Sequence, residues 1–173
     1  MNIRLSGFGG QGIILSGVIL GWAAILDGKN VLQTQSYGSS ARGGSCKCDV
    51  IVQDSYIYEL EPHVNDILIA FSQPAFNKYK NSLKNDGSLF FDKDLVNPDV
   101  VFQNNFSVSA TDIAFKNFSR KIYANILMLG FLADKTKLIS PEAIEESIKY
   151  YVPSKSFDTN IKAFRLGREL AKN

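Results

Sequence analysis

The sequence predicts an α/β protein: an open, mostly parallel sheet flanked by helices in a Rossmann-like three-layer arrangement, with a β-hairpin and a helical C-terminal part. Three observations carry that prediction. Short buried apolar runs alternate with longer helical patterns along the chain. The first run stops at a glycine cluster that opens a helix. No repeat, linker or low-complexity tract breaks the 173 residues, 45% of which are hydrophobic, so 1–173 reads as a single domain with one sizeable core.

Each element follows from its residues. Ile3 to Phe8 is a short apolar run ending at glycine, as a buried first strand does. Gln11 to Asp27 carries apolar residues on nearly every side and closes at Gly28, which suits a helix with a glycine C′ residue. Asn30 to Gln35 suits a second strand. Cys46 to Gln53 alternates and is followed by Asp54-Ser55 and Tyr-Ile-Tyr-Glu-Leu, which predicts a hairpin with Tyr56 and Tyr58 on one face. Asp66 to Phe71 reads as another buried strand, Gln73 to Leu83 as a helix, and Asn85-Asp86-Gly87 as a turn. Val100 to Phe102 reads as one more strand. From Thr111 the pattern is helical through Leu132. Ser140 then serves as N-cap with Pro141 at the first helical position, and a last helix covers Phe157 to Leu170.

Composition excludes several classes. The formal charge is +2, with 19 basic and 17 acidic residues scattered among one another, so no basic stripe points to nucleic acid or an anionic membrane. The apolar run IILSGVILGWAAIL ends at Asp27, too short to span a bilayer, and the N-terminus shows no charged leader with a cleavable apolar segment. A cytoplasmic protein is expected. Cys46 and Cys48 are the only cysteines, and a C-x-C pair does not readily bridge to itself, so no disulfide framework is implied. They read as packed thiols on one strand face. His63 follows Pro62 and lacks neighbouring ligand partners.

Two motifs carry chemistry. Gly7-Phe8-Gly9-Gly10-Gln11-Gly12 fits G-x-G-x-x-G after a strand and before a helix, where glycine lets a phosphate reach the free N–H groups of the helix start. A dinucleotide site also needs a carboxylate at the end of the second strand, and Leu32, Gln33, Thr34 and Gln35 supply none. NAD is disfavoured, and no Lys-Ser or Lys-Thr follows Gly12 to make a P-loop. Phosphate contact therefore competes with a turn needed only for close packing. The second motif, SYGSSARGGS from Ser36, falls at the carboxyl edge of the sheet, where open α/β proteins bind ligands. Ser36, Tyr37, Gly38, Ser40, Arg42, Gly43 and Gly44 are candidates there, Tyr37 as a rigid plane and Arg42 as a fork for carboxylate or phosphate. The competing reading is a solvated loop. Asn125 lies inside an apolar helical run, where an unpaired amide is costly, so a bond to a loop backbone such as the glycine turn is expected.

GFGGQGIILSG and SYGSSARGGS, spaced as they are, resemble the gamma subunit of the 2-oxoacid:ferredoxin (acceptor) oxidoreductases. NILMLGFLA at Asn125 to Ala133 and the closing SFDTNIKAFRLG are similar to that family too, so the likeness covers nearly the whole chain. Arginine followed by Gly-Gly after Ser-Tyr-Gly looks more like the 2-oxoglutarate and branched-chain types than the pyruvate or indolepyruvate types. Ser39-Ser40 departs from the Pro and acidic or small residue common in relatives.

The resemblance implies a hetero-oligomeric complex with alpha and beta subunits, with or without delta. That complex decarboxylates a 2-oxoacid on thiamine diphosphate with Mg, passes electrons through iron–sulfur clusters to ferredoxin, and releases an acyl-CoA. A cluster takes about four cysteine ligands, and this chain has two. The gamma chain is thereby expected to be non-redox and to hold no metal or tightly bound cofactor, with those groups on partner subunits. Its implied share is contact with CoA and part of the substrate chamber. A free-standing nucleotide- or CoA-binding module is the alternative.

Overall fold

The computed structural model describes residues 1–38 and 45–172. Six strands form one sheet in the order β2-β3-β1-β4-β5-β6. They span Asn2–Phe8 (β1), Asn30–Tyr37 (β2), Ser45–Gln53 (β3), Asn65–Ala70 (β4), Leu83–Asp92 (β5) and Asn104–Val108 (β6). β1, β4, β5 and β6 run parallel, β3 is antiparallel to both β1 and β2, and the sheet is therefore mostly parallel, as expected.

The helices are α1 (Ile13–Leu26), α2 (Gln73–Tyr79), α3 (Ala110–Phe118), α4 (Ala124–Thr136), α5 (Pro141–Tyr151) and α6 (Phe157–Leu170). The larger apolar cluster packs α1, α4, α5 and α6 on one face of the sheet, through Ile19, Leu20, Leu127 and Phe164 among others. The smaller one sets Phe76 of α2 against Leu68, Ala70 and Leu89 on the other face. The chain thus leaves β1 and β4 toward opposite faces, which opens a crevice between their carboxyl ends.

Glycine sets how close the layers come. A methyl group on Gly17 of α1 would overlap Cys48 Sγ of β3. One on Gly130 of α4 would overlap the Phe164 carbonyl of α6, and one on Gly167 would overlap the Leu127 carbonyl. The two thiols are buried, and burial pushes that of Cys48 up to about 12.

Four local expectations need correction. The hairpin is β2–β3; Tyr56 and Tyr58 lie outside any strand, packed against each other with centroids 4.9 Å apart and open to solvent. Val100 to Phe102 is not a strand. Val101 is 90% exposed, and the strand is the half-buried polar stretch Asn104–Val108. The segment from Thr111 to Leu132 is two helices, because Ser119 turns left-handed (φ 56°) and a 3-10 turn, Lys121–Tyr123, starts α4 afresh. Asn85-Asp86-Gly87 falls within β5 as a bulge, where pairing jumps from Asn65–Leu83 to Ile67–Ser88. Ser140 and Pro141 behave as expected, with the Ala143 N–H donating to Ser140 Oγ at 3.3 Å.

The close crossing of α4 and α6 yields a direct expectation. Gly167→Ala should destabilise the protein by about 1–3 kcal/mol or more, because rigid backbone rather than a side chain blocks the new methyl. Urea titration should show a lower midpoint; an unchanged midpoint would mean the helices part freely there.

Candidate functional site

The crevice is built from the end of β1 upward. After Phe8 the chain turns through Gly9 and Gly10, and Gln11 N–H closes the turn on the Phe8 carbonyl at 3.2 Å. Gln11 Oε1 accepts from Phe8 N–H (2.6 Å) while its Nε2 donates to the Phe71 carbonyl (2.8 Å). That side chain staples the ends of β1 and β4 together. Gly12 then caps α1 in the left-handed region (φ 77°), with no side-chain cap and no acidic residue in the first helical turn. A helix start leaves its first N–H groups unsatisfied and carries about half a positive charge.

The glycines of the motif divide their labour. A Cβ on Gly7 would stand 2.5 Å from Gln11 Oε1 and 2.9 Å from Ile13 Cδ1, and one on Gly12 would overlap the Asn125 amide. These two serve packing. Gly10 has φ 96° and nothing within 4 Å of its would-be Cβ, so it faces open space. Asn125 is buried at the start of α4, and its Nδ2 donates to the Gly12 carbonyl at 3.2 Å, the loop-backbone bond the sequence implied.

Gly10, Gln11, Phe71, Leu95, Lys121 and Ile122 line a crevice of about 260 Å³. Its walls are mainly apolar, with the exposed Lys121 at the rim. The neighbouring start of α3 is already answered by the chain's own acids. Thr111 N–H and Oγ1 donate to Asp92 Oδ2 at 2.9 and 2.5 Å, and Asp112 N–H donates to Asp94 Oδ2 at 2.8 Å. Burial holds the Asp92 carboxyl above its usual range. The start of α1 has no such acid.

A second concavity adjoins the first through Gly10 and Ile122 and runs past Gly9, Gly12 and Cys46 to Tyr37. Ser36 and Tyr37 end β2, and Gly38 N–H bonds the Ser45 carbonyl. Ser40, Arg42, Gly43 and Gly44 lie outside the described residues. The sequence reading missed Leu95, Lys121 and Ile122, which stand far from the glycine motif along the chain. Only the topology gathers them, and no spacing signals it.

The arrangement defines an α/β protein with an uncapped glycine turn opening on a crevice at the sheet's carboxyl edge, and with no carboxylate in β2 to hold a ribose. The chain belongs to the pyruvate ferredoxin/flavodoxin oxidoreductase family, which it matches over residues 2–170. It is 45% identical to the 2-oxoglutarate synthase subunit KorC of Methanocaldococcus jannaschii, over 99% of this chain and 94% of that one. It is similar to the solved gamma subunit of the keto/oxoacid ferredoxin oxidoreductase of Geobacter sulfurreducens, at 40% identity and TM-score 0.86, covering 99% and 98% of the two chains. The 2-oxoglutarate:ferredoxin oxidoreductase of Magnetococcus marinus contains the same fold within a longer chain, at 24% identity and TM-score 0.88, with 99% of this chain and 31% of that one covered. Among the described residues no helix is long and apolar enough to cross a membrane.

Coupling between Gly12 and Asn125 is measurable. Asn125→Ala should cost about 1 kcal/mol, since the half-buried Gly12 carbonyl loses one of two donors and keeps the Ser16 N–H at 2.9 Å. Gly12→Ala should cost less in the Asn125→Ala background than in the parent, because the amide that blocks the new methyl is gone. Additive costs in a double-mutant cycle would mean the two residues do not meet.

Proposed function

We propose that this chain is the gamma subunit of a 2-oxoglutarate:ferredoxin oxidoreductase complex, and that it holds the phosphates of CoA at the start of α1. The complex oxidatively decarboxylates 2-oxoglutarate to its acyl-CoA. The substrate assignment is supported by the name of the 45%-identical Methanocaldococcus relative, matched over nearly the full length of both chains. The observation that carries the ligand assignment is the uncapped, acid-free start of α1, opening beside Gly10 into a crevice with a lysine at its rim. Free backbone N–H groups and a helix dipole receive a pyrophosphate, and Lys121 adds a point charge. Phe71, Leu95 and Ile122 offer apolar walls to the uncharged arm of the cofactor.

Thiamine diphosphate, Mg and the iron–sulfur clusters belong on the alpha and beta partners, with or without delta. Two cysteines and one histidine cannot furnish a four-ligand cluster. Nor do the described residues gather three or more His, Cys, Asp or Glu side chains as a ligand set. We assign Ser36 to Gly44, with Arg42 as its charged member, to the junction with the catalytic partner. Tyr37 already reaches the rim of the adjoining concavity. The complex is expected in the cytoplasm, with ferredoxin meeting the partners rather than this chain.

Two variants test the ligand assignment in the assembled complex. Gly10→Val points bulk into the open crevice and also strains a backbone at φ 96°, whereas Lys121→Glu reverses the rim charge and leaves the turn alone. Each should raise the KM for CoA about tenfold or more while the CoA-independent decarboxylation half-reaction stays within about twofold. Unchanged KM for CoA in both assembled variants would return the glycine turn to packing alone. The purified single chain should be colourless and inactive; bound iron and sulfide in stoichiometric amounts would contradict the division of cofactors.

A further inference from the structure

We infer that Asp92 is a positioning residue for the CoA crevice, a buried carboxylate that fixes the wall opposite Gly10 and Gln11. This role rests on the CoA assignment proposed above. Asp92 ends β5 and is 0% exposed, so it acts only through the groups it holds. Its Oδ2 accepts from Thr111 N–H (2.9 Å) and Thr111 Oγ1 (2.5 Å), and its Oδ1 accepts from Asp94 N–H (3.1 Å). Its backbone carbonyl takes the N–H groups of Leu95 and Val96 at 3.0 and 2.9 Å. Thr111 and Leu95 both line the crevice. One residue thus ties the loop after β5 and the start of α3 to each other and to the sheet.

The near wall is held in the same way. Gln11 joins the ends of β1 and β4 through Phe8 N–H and the Phe71 carbonyl. β4 lies between β1 and β5, so the two walls stand on either side of Phe71. Ser109, at the N-cap position of α3, makes no side-chain cap. A local cap would satisfy the same N–H and still let the helix shift against the sheet. A carboxylate reaching over from the end of β5 caps the helix and also sets where it starts.

α3 carries that placement along the crevice. After Phe118 the chain turns at Ser119 into the 3-10 turn Lys121–Tyr123, and Phe118 packs edge-on against Tyr123 with centroids 5.7 Å apart. Lys121 at the rim therefore takes its position from a helix whose start Asp92 holds. A buried carboxylate is costly unless hydrogen-bonded, and here three donors from two segments meet it, which fixes both segments at once. Asp94 supplies the comparison. It takes Asp112 N–H at 2.8 Å on the same helix end but does not line the crevice.

Steady-state kinetics on the assembled complex test this. Asp92→Asn keeps the size but sets an amide donor against an N–H already in place. It should raise the KM for CoA about fivefold or more while the CoA-independent decarboxylation half-reaction stays within about twofold. Thr111→Val, which loses the hydroxyl bond alone, should raise it less, and Thr111→Ser should lie nearer the parent. Together, Asp92→Asn and Thr111→Val should raise KM by less than the product of their separate factors, since they break a shared bond. Asp94→Asn should lower the melting temperature as a lost cap does and leave the KM for CoA in place. Hydrogen exchange gives a readout without ligand: in Asp92→Asn the amides of Leu95 and Thr111 should exchange faster together, and those of β1 should not. A parental KM in Asp92→Asn beside a raised one in Lys121→Glu would overturn the positioning role and keep the CoA site. Parental values in both would remove the site and the role with it. Equal rises in Asp92→Asn and Asp94→Asn would reduce Asp92 to a helix cap. If Asp92→Asn does not assemble, equal KM values in Thr111→Val and Thr111→Ser overturn the role by themselves.

Discussion

The contact on which the rest depends is the one between Asn125 and Gly12. The turn that starts α1 must lie close enough to α4 for an amide to reach its carbonyl, and only a glycine leaves the room. That single approach joins the last helical layer to the first strand and holds the start of α1 in a left-handed backbone. Gln11 pins the other side of the same turn to β4. The crevice is therefore preformed, bounded by Phe71 below and Ile122 above. Among the described residues no side chain caps the start of α1.

The opposite face of the sheet is held by charge. Arg4 is buried, donating from Nε and Nη2 to the Asp49 carboxylate at 2.6 and 3.0 Å and from Nη1 to Ser82 Oγ at 3.2 Å, with the Tyr79 ring beneath its guanidinium. Lys47 bridges Asp49 and Glu61. A buried pair of this kind contributes little net stability against a well-packed apolar one, yet losing either partner strands a charge at about 3–5 kcal/mol. It also fixes the segment carrying Glu61 and Pro62 to the sheet. The two faces thus divide the work: apolar packing on glycines positions the crevice, and an ion network positions the long connection behind it.

Much of this was legible in the sequence wherever local chemistry and tertiary packing agree. α6 begins and ends where its pattern does, and Ser140 with Pro141 marks the start of α5, because a cap and a fixed φ act locally. The expected bond from Asn125 followed from the cost of an unpaired buried amide. The reading failed where tertiary contacts override propensity. Ser119 takes a left-handed turn that its type does not announce. Val100 to Phe102 is apolar yet exposed at Val101, while Asn104–Val108 is polar yet a strand, because pairing with β5 supplies what its side chains do not. The glycine motif was found as a unit, but its split into packing glycines and one open glycine needed coordinates. Lys121 and Leu95 had no sequence signal at all.

Hydrogen exchange on the assembled complex, with and without CoA, tests the central claim most directly. If the cofactor's phosphates sit on the open start of α1, amides from Gly10 to Leu15 should exchange several-fold more slowly when CoA is bound, while those of β6 at the far edge stay as they were. Protection by CoA confined to other subunits, with the α1 start unchanged, would contradict the account.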